Sequence, residues 1–258
     1  MKVKIKKDGK SETYNIIDSW SDVTMESWMQ LIKAKDLGKA EDAKTSILAL
    51  SDIPDTLINQ LSLKDVAILM ETMGKLQSEQ EILLKKVIYI DGQEYGFHPN
   101  LDDITIGEYA DIETMIKSGL EDNLPELMAV LFRPIVDRKG EAYKIQAYDG
   151  DITERAEVMK KMSSEQVQGA LVFFLEFRTG IIEQYAIVFD ESNNKGNGRG
   201  SESFSEKWGW FGVLHRLCNQ DISKLEAITK MSLLECLTWL SYETDLNESK
   251  QVKSYDSE

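Results

Sequence analysis

His98 and His215 are the only histidines among the 258 residues, and Cys218 and Cys236 are the only cysteines. A histidine can serve as a general base or a metal ligand. His98 stands directly before Pro99, and His215 follows Leu214 within an apolar helical pattern. Neither has a partner acid at a telling spacing, so each reads first as a structural or surface side chain. A catalytic role would require an enclosed polar pocket around one of them. The cysteines lie in apolar helical patterns and form no Cys-x-x-Cys pair or zinc spacing, which fits a reduced, intracellular setting. Asp102, Asp103, Glu108, Asp111 and Glu113 form an acidic cluster of the kind that can bind a divalent cation. They do not all share one helical face, and Asp102 and Asp103 are better explained as charges favouring a helix N-terminus. Gly196–Gly200 lacks the Gly-Lys-Ser/Thr of a phosphate loop, and no nucleophile elbow or zinc-protease motif occurs. The chemistry points away from an enzyme, and no cofactor or metal is expected.

Binding is better supplied. Trp208, Trp210, Phe211, Trp239 and Tyr242 concentrate aromatic area near the C-terminal end. One reading makes them the core of a small module, which needs large side chains to fold. The other turns some outward as a groove for an apolar partner helix, since exposed rings make effective anchors. These five are the candidate partner-binding residues. Net charge is −15, which disfavours contact with phosphate backbones and so direct nucleic-acid binding. The apolar run Ala170–Phe174 is interrupted at Glu176 and Arg178 and is too short for a bilayer, and Met1–Lys7, with no apolar stretch behind it, is not expected to be a signal peptide. A soluble protein is expected.

The elements that would position these side chains come in repeats. Met1–Leu31 and Lys85–Ile112 share a strand, an Asp-Gly turn, a return strand and a helix start. In the first, Val3 and Ile5 alternate with lysines, as a half-buried strand should, before Asp8-Gly9. In the second, Val87–Ile90 leads through Asp91-Gly92 to a return strand expected over Glu94–His98, stopped by Pro99. Thr24 and Thr105 suit the N-cap, and Glu108 completes a capping box that Ser27 only partly supplies in the first copy. A second repeat places Ser62, Ser163 and Ser232 each before an apolar helix, after an apolar residue (Leu61, Met162, Met231).

Gly96–Tyr109 and Leu127–Ile135 resemble uncharacterised proteins of tailed phages and prophages from Bacteroidetes-type hosts. The helix pair containing Trp208–Phe211 and Met231–Trp239 is similar in style to small helical tail-assembly chaperones. The resemblance implies an acidic, mostly helical, non-enzymatic factor. Its partner would be a phage structural protein, such as a tape-measure-like tail component, shielded in the host cytoplasm during assembly.

The expected fold is α+β and predominantly helical, with two β-hairpin–helix units and a C-terminal helical module. The divisions are 1–84, 85–190 with an inserted β-containing loop near 133–151, a flexible linker 191–206, the aromatic module 207–246 and a disordered tail 247–258. The expected function is a phage assembly factor of the chaperone type with no membrane partner, self-association being allowed. The alternative is a structural virion component: tail, baseplate, ring or internal cargo protein.

Overall fold

A computed structural model describes residues 1–7, 10–34, 39–74, 83–189 and 204–255. Strands β1 (Lys2–Lys7) and β2 (Lys10–Asn15) pair antiparallel, with Val3 opposite Tyr14 and Ile5 opposite Glu12. Val3 and Ile5 turn toward apolar neighbours while Lys2, Lys4 and Lys6 face solvent, as strict alternation dictates. The expected Asp8-Gly9 turn and most of the 191–206 linker lie outside the described residues. A 3-10 turn (Trp20–Asp22) then leads to α1 (Met25–Ala34), α2 (Lys39–Leu50), α3 (Asp55–Ile58) and α4 (Leu63–Met73).

The second unit repeats this opening. Strands β3 (Val87–Ile90) and β4 (Gln93–Phe97) flank Asp91 and Gly92, whose φ angles of 51° and 80° are the two left-handed residues that a twisted two-residue hairpin requires. A 3-10 turn (Leu101–Asp103) precedes α5 (Ile106–Gly119) and α6 (Leu124–Leu131). The inserted segment forms β5 (Phe132–Lys139) and β6 (Ala142–Ile145), which extend the hairpin into an antiparallel sheet of order β3-β4-β5-β6. Then follow α7 (Thr153–Met159), α8 (Ser164–Gln184) and α9 (Ala186–Phe189), and after the undescribed stretch α10 (Phe204–Leu217), α11 (Leu225–Thr229) and α12 (Leu233–Tyr255). The chain is thus α+β and predominantly helical. Helix α12 runs through Asn247–Tyr255, a stretch whose polar sequence reads as a tail.

The two hairpin units share the capping of their 3-10 turns and differ in how their helices are capped. Ser19 and Asn100 cap the 3-10 turns through Ser21 N–H and Asp102 N–H, each at 3.3 Å. Thr105 and Glu108 make the full reciprocal capping box, whereas Thr24 Oγ1 accepts from Ser27 N–H and donates to the Ser27 hydroxyl.

Each Thr-capped start is also joined to a distant helix start that follows a serine. Met25 N–H donates to Met162 C=O at 2.7 Å, and Ser164 N–H to Val23 C=O at 2.7 Å. Ile106 N–H donates to Met231 C=O and Leu233 N–H to Ile104 C=O, both at 2.9 Å. Thr24 therefore faces Ser163, and Thr105 faces Ser232, across identical two-bond antiparallel bridges. The first N–H groups of a helix have no intrahelical acceptor. Here two helix starts satisfy each other.

Burial follows the same joints. One apolar cluster holds Ile16, Val23, Ile47, Ile58 and Leu69. The other holds Phe97, Tyr109, Leu127, Phe132, Phe174 and Leu237, and it takes Met25 from the first unit, with Trp28 touching both. Gly107 lets α5 approach α11: a Cβ there would lie 2.7 Å from Thr229 O.

Candidate functional site

The five aromatic candidates separate into two environments. Gly209 (φ 45°, ψ −127°) breaks α10 between Trp208 and Trp210, a conformation that costs glycine little. Trp210 turns inward, edge-to-face on Tyr109 at 5.2 Å between ring centroids and 6.0 Å from Phe189. It belongs to the packing of the large apolar cluster rather than to a free surface. Trp208 and Phe211, 5.8 Å apart, stay 44% and 51% exposed. Trp239 and Tyr242, 6.4 Å apart on α12, stay 58% and 59% exposed. Arg216 of α10 ties the two helices by donating to Glu243 Oε2 at 2.8 Å, and Trp239 Nε1 donates to the other oxygen of that carboxylate at 3.0 Å. Buried Leu233, Cys236, Leu237 and Leu240 occupy the inner face of α12, so the outward rings are extra to its core stripe.

The acidic cluster is dispersed. Asp102 and Asp103 sit in the 3-10 turn, Asp111 accepts from the Tyr148 hydroxyl at 2.6 Å, and Glu113 takes both Arg178 Nε and Nη2. Among the described residues, no three His, Cys, Asp or Glu side chains form a metal-holding group.

Glu108 has a role beyond capping. Its Oε2 accepts from Thr105 N–H at 2.7 Å, while Oε1 lies 2.6 Å from Arg133 Nη2 and 4.0 Å from His98 Nε2. Glu108 and Arg133 are almost wholly buried, with side-chain exposures of 2% and 4%. His98, just after β4, and Arg133, in β5, come together because β4 and β5 are neighbours in the sheet, and Glu108 of α5 meets both. The three line a cleft of about 1000 Å³ whose walls include Asp103, Tyr148, Glu226 and Lys230. Burial holds the His98 imidazole below its ordinary pKa; Glu108 opposes that effect and Arg133 adds to it. Among the described residues Arg133 Nε has no hydrogen-bond partner, while the backbone of Asn100, like Glu108, favours the protonated imidazole of His98. A neutral imidazole beside a carboxylate has the makings of acid–base chemistry. Glu108, however, is already engaged by Thr105 and Arg133.

His98 thus does have a polar pocket and an acid nearby, in contrast to the expectation from spacing. The missed signal was Glu108 itself, set among Ile106, Gly107, Tyr109 and Ala110, all buried. A carboxylate in an apolar helical turn needs a cation. His215 is exposed on α10. Both cysteines are buried and free, and burial raises the Cys236 thiol to about 11, with Glu235 adding to the shift.

Comparison with protein-family models finds no match, and no curated protein or solved structure matches the chain. No helix of the described residues is long and apolar enough to cross a membrane.

Proposed function

We propose that this chain is a non-enzymatic assembly factor of a tailed phage, chaperone-like in action, that binds an apolar helix of a structural protein such as a tape-measure-like tail component. The observation carrying the binding half is the exposure of Trp208, Phe211, Trp239 and Tyr242 on two helices tied by Arg216 and Glu243. Large rings left in water on elements whose inner faces are already packed are available as anchors. The phage half rests on the resemblance of Gly96–Tyr109 and Leu127–Ile135. On this reading the protein works in the host cytoplasm and leaves before the particle matures. Mass spectrometry of purified particles tests it. Absence, or traces only, is expected; stoichiometric presence would replace the chaperone with a virion component.

A second reading, binding of a small polar ligand, is favoured by Arg133 Nε, which has no hydrogen-bond partner among the described residues, beside His98 in the cleft. A thermal-shift screen against small polar metabolites tests it. A compound that stabilises the wild type but not His98→Gln would establish that reading; no hit would leave the cluster a structural one.

A further inference from the structure

Ser62, Ser163 and Ser232 each stand directly before an α-helix, and Thr24 and Thr105 before two more. Thr24 is bridged to Ser163 and Thr105 to Ser232. Ser62 is the third of its kind, and the structure shows how closely it matches the other two. In each, the two residues before the serine close the preceding helix with i to i−3 bonds. Lys161 and Met162 donate to Val158 and Met159, Lys230 and Met231 to Ala227 and Ile228, and Gln60 and Leu61 to Leu57 and Ile58. In each, the N–H four residues after the serine returns to its carbonyl, from Val167, Cys236 and Val66. Ser62 and Asp65 also form the reciprocal capping box that Ser163 and Gln166 form.

The difference lies in what covers them. Ser164 and Leu233, which follow the serine in the bridged copies, are 0% exposed and donate N–H groups across the bridge. Leu63, at the same position, is 89% exposed. No backbone hydrogen bond of Leu63 N–H or Leu61 C=O is found among the described residues, although these are the donor and acceptor that the other two copies use. Next to this start, Leu57, Leu61 and half-exposed Ile68 line a groove of about 470 Å³ against β1. A leucine kept in water where its equivalents are fully buried marks an unfilled joint.

We propose that the Ser62 start is a docking site for a Thr-capped helix start of a different protein. Its chemistry is set by the two filled joints: an apolar–Thr–apolar tripeptide after a 3-10 turn, opening an amphipathic helix. The apolar residues on either side of that threonine are 0–1% exposed in both filled copies: Val23, Met25, Ile104 and Ile106. The partner donates one N–H to Leu61 C=O, accepts one from Leu63 N–H, and covers the Leu63 side chain. A second copy of this chain is a poor source, because both of its Thr starts are already bridged and buried, and lending one would open a joint for each joint closed.

The probe is a synthetic peptide of residues 98–119, stapled across the exposed Thr114 and Ser118 to hold its helix. It is titrated into the isotopically labelled full chain and followed by amide shifts. Saturable shifts at Leu61–Val66 are expected, weakened at least about tenfold by Leu63→Asp, a change at an exposed position that leaves the melting temperature unaltered. Two results would overturn the proposal. One is no shift at Leu61–Val66 with the peptide at millimolar concentration, or shifts that Leu63→Asp leaves unchanged. The other is concentration-dependent self-association of the chain alone that Leu63→Asp abolishes, which would make the occupant a second copy.

Discussion

Replacing Glu108 by glutamine separates its two roles. The amide oxygen can still accept from Thr105 N–H, so the cap survives, but the charge facing Arg133 is gone. Arg133 is 4% exposed and its Nη2 sits 2.6 Å from the carboxylate, so no solvent takes over. Removing one partner of such a pair costs about 3–5 kcal/mol, because the remaining charge is stranded in a low dielectric. Glu108→Ala would add about 1 kcal/mol for the lost cap. The Tyr148 ring, 5.8 Å from the guanidinium, offsets no more than about 1 kcal/mol. In Glu108→Gln/Arg133→Met both charges leave together, and most of the loss should return. The assay is urea unfolding followed by far-ultraviolet dichroism and tryptophan fluorescence, with coincident transitions as the check on two-state behaviour. A loss below about 1 kcal/mol in Glu108→Gln would refute the reasoning. So would a double variant whose loss equals the sum of the singles, since that means the two groups do not interact.

Three further outcomes follow from the same geometry. Burial lowers the His98 pKa below its ordinary value of 6.5, so the unfolded chain takes up a proton that the folded chain refuses. Stability from this group is fully present above about pH 6.5 and falls as the pH drops toward the lowered value, by at most about 1.4 kcal/mol per pH unit. Urea midpoints between pH 7.5 and 5 should show that fall, and His98→Gln should flatten it. Gly107→Ala would push a methyl group to 2.7 Å from Thr229 O and cost about 1–3 kcal/mol, read as a lowered melting temperature, whereas alanine at Gly180, where nothing lies within 4 Å, should not destabilise. Amide hydrogen exchange should be slow at Ser164 and Leu233, whose N–H groups cross the two bridges, and fast at Leu63.

The helix starts were legible in the sequence because a cap is a local device. Threonine or serine, with an acid or amide three residues on and apolar residues around them, fixes the N-terminus without reference to the rest of the chain. The hairpin turn at Asp91-Gly92 was legible for the same reason. What joins these pieces was not. The bridges from Thr24 to Ser163 and from Thr105 to Ser232 link residues far apart in sequence through backbone atoms, which leave no side-chain signature. Arg133 meets Glu108 only because β5 lies beside β4, a pairing that the inserted segment's own pattern does not specify. Trp208 and Trp210, two positions apart, read as one aromatic cluster. The left-handed break at Gly209 sends one into the core and leaves the other in water.

The proposed aromatic docking surface is tested most directly by replacing Trp208 and Trp239 together with alanine and measuring affinity for the proposed partner, an apolar helix of a tail structural protein. Rings that anchor an interface contribute about 2 kcal/mol or more each, so the double variant should bind at least about a hundredfold more weakly while keeping the wild-type melting temperature. Equal affinity in a fully folded double variant would contradict the claim that these outward rings hold the partner.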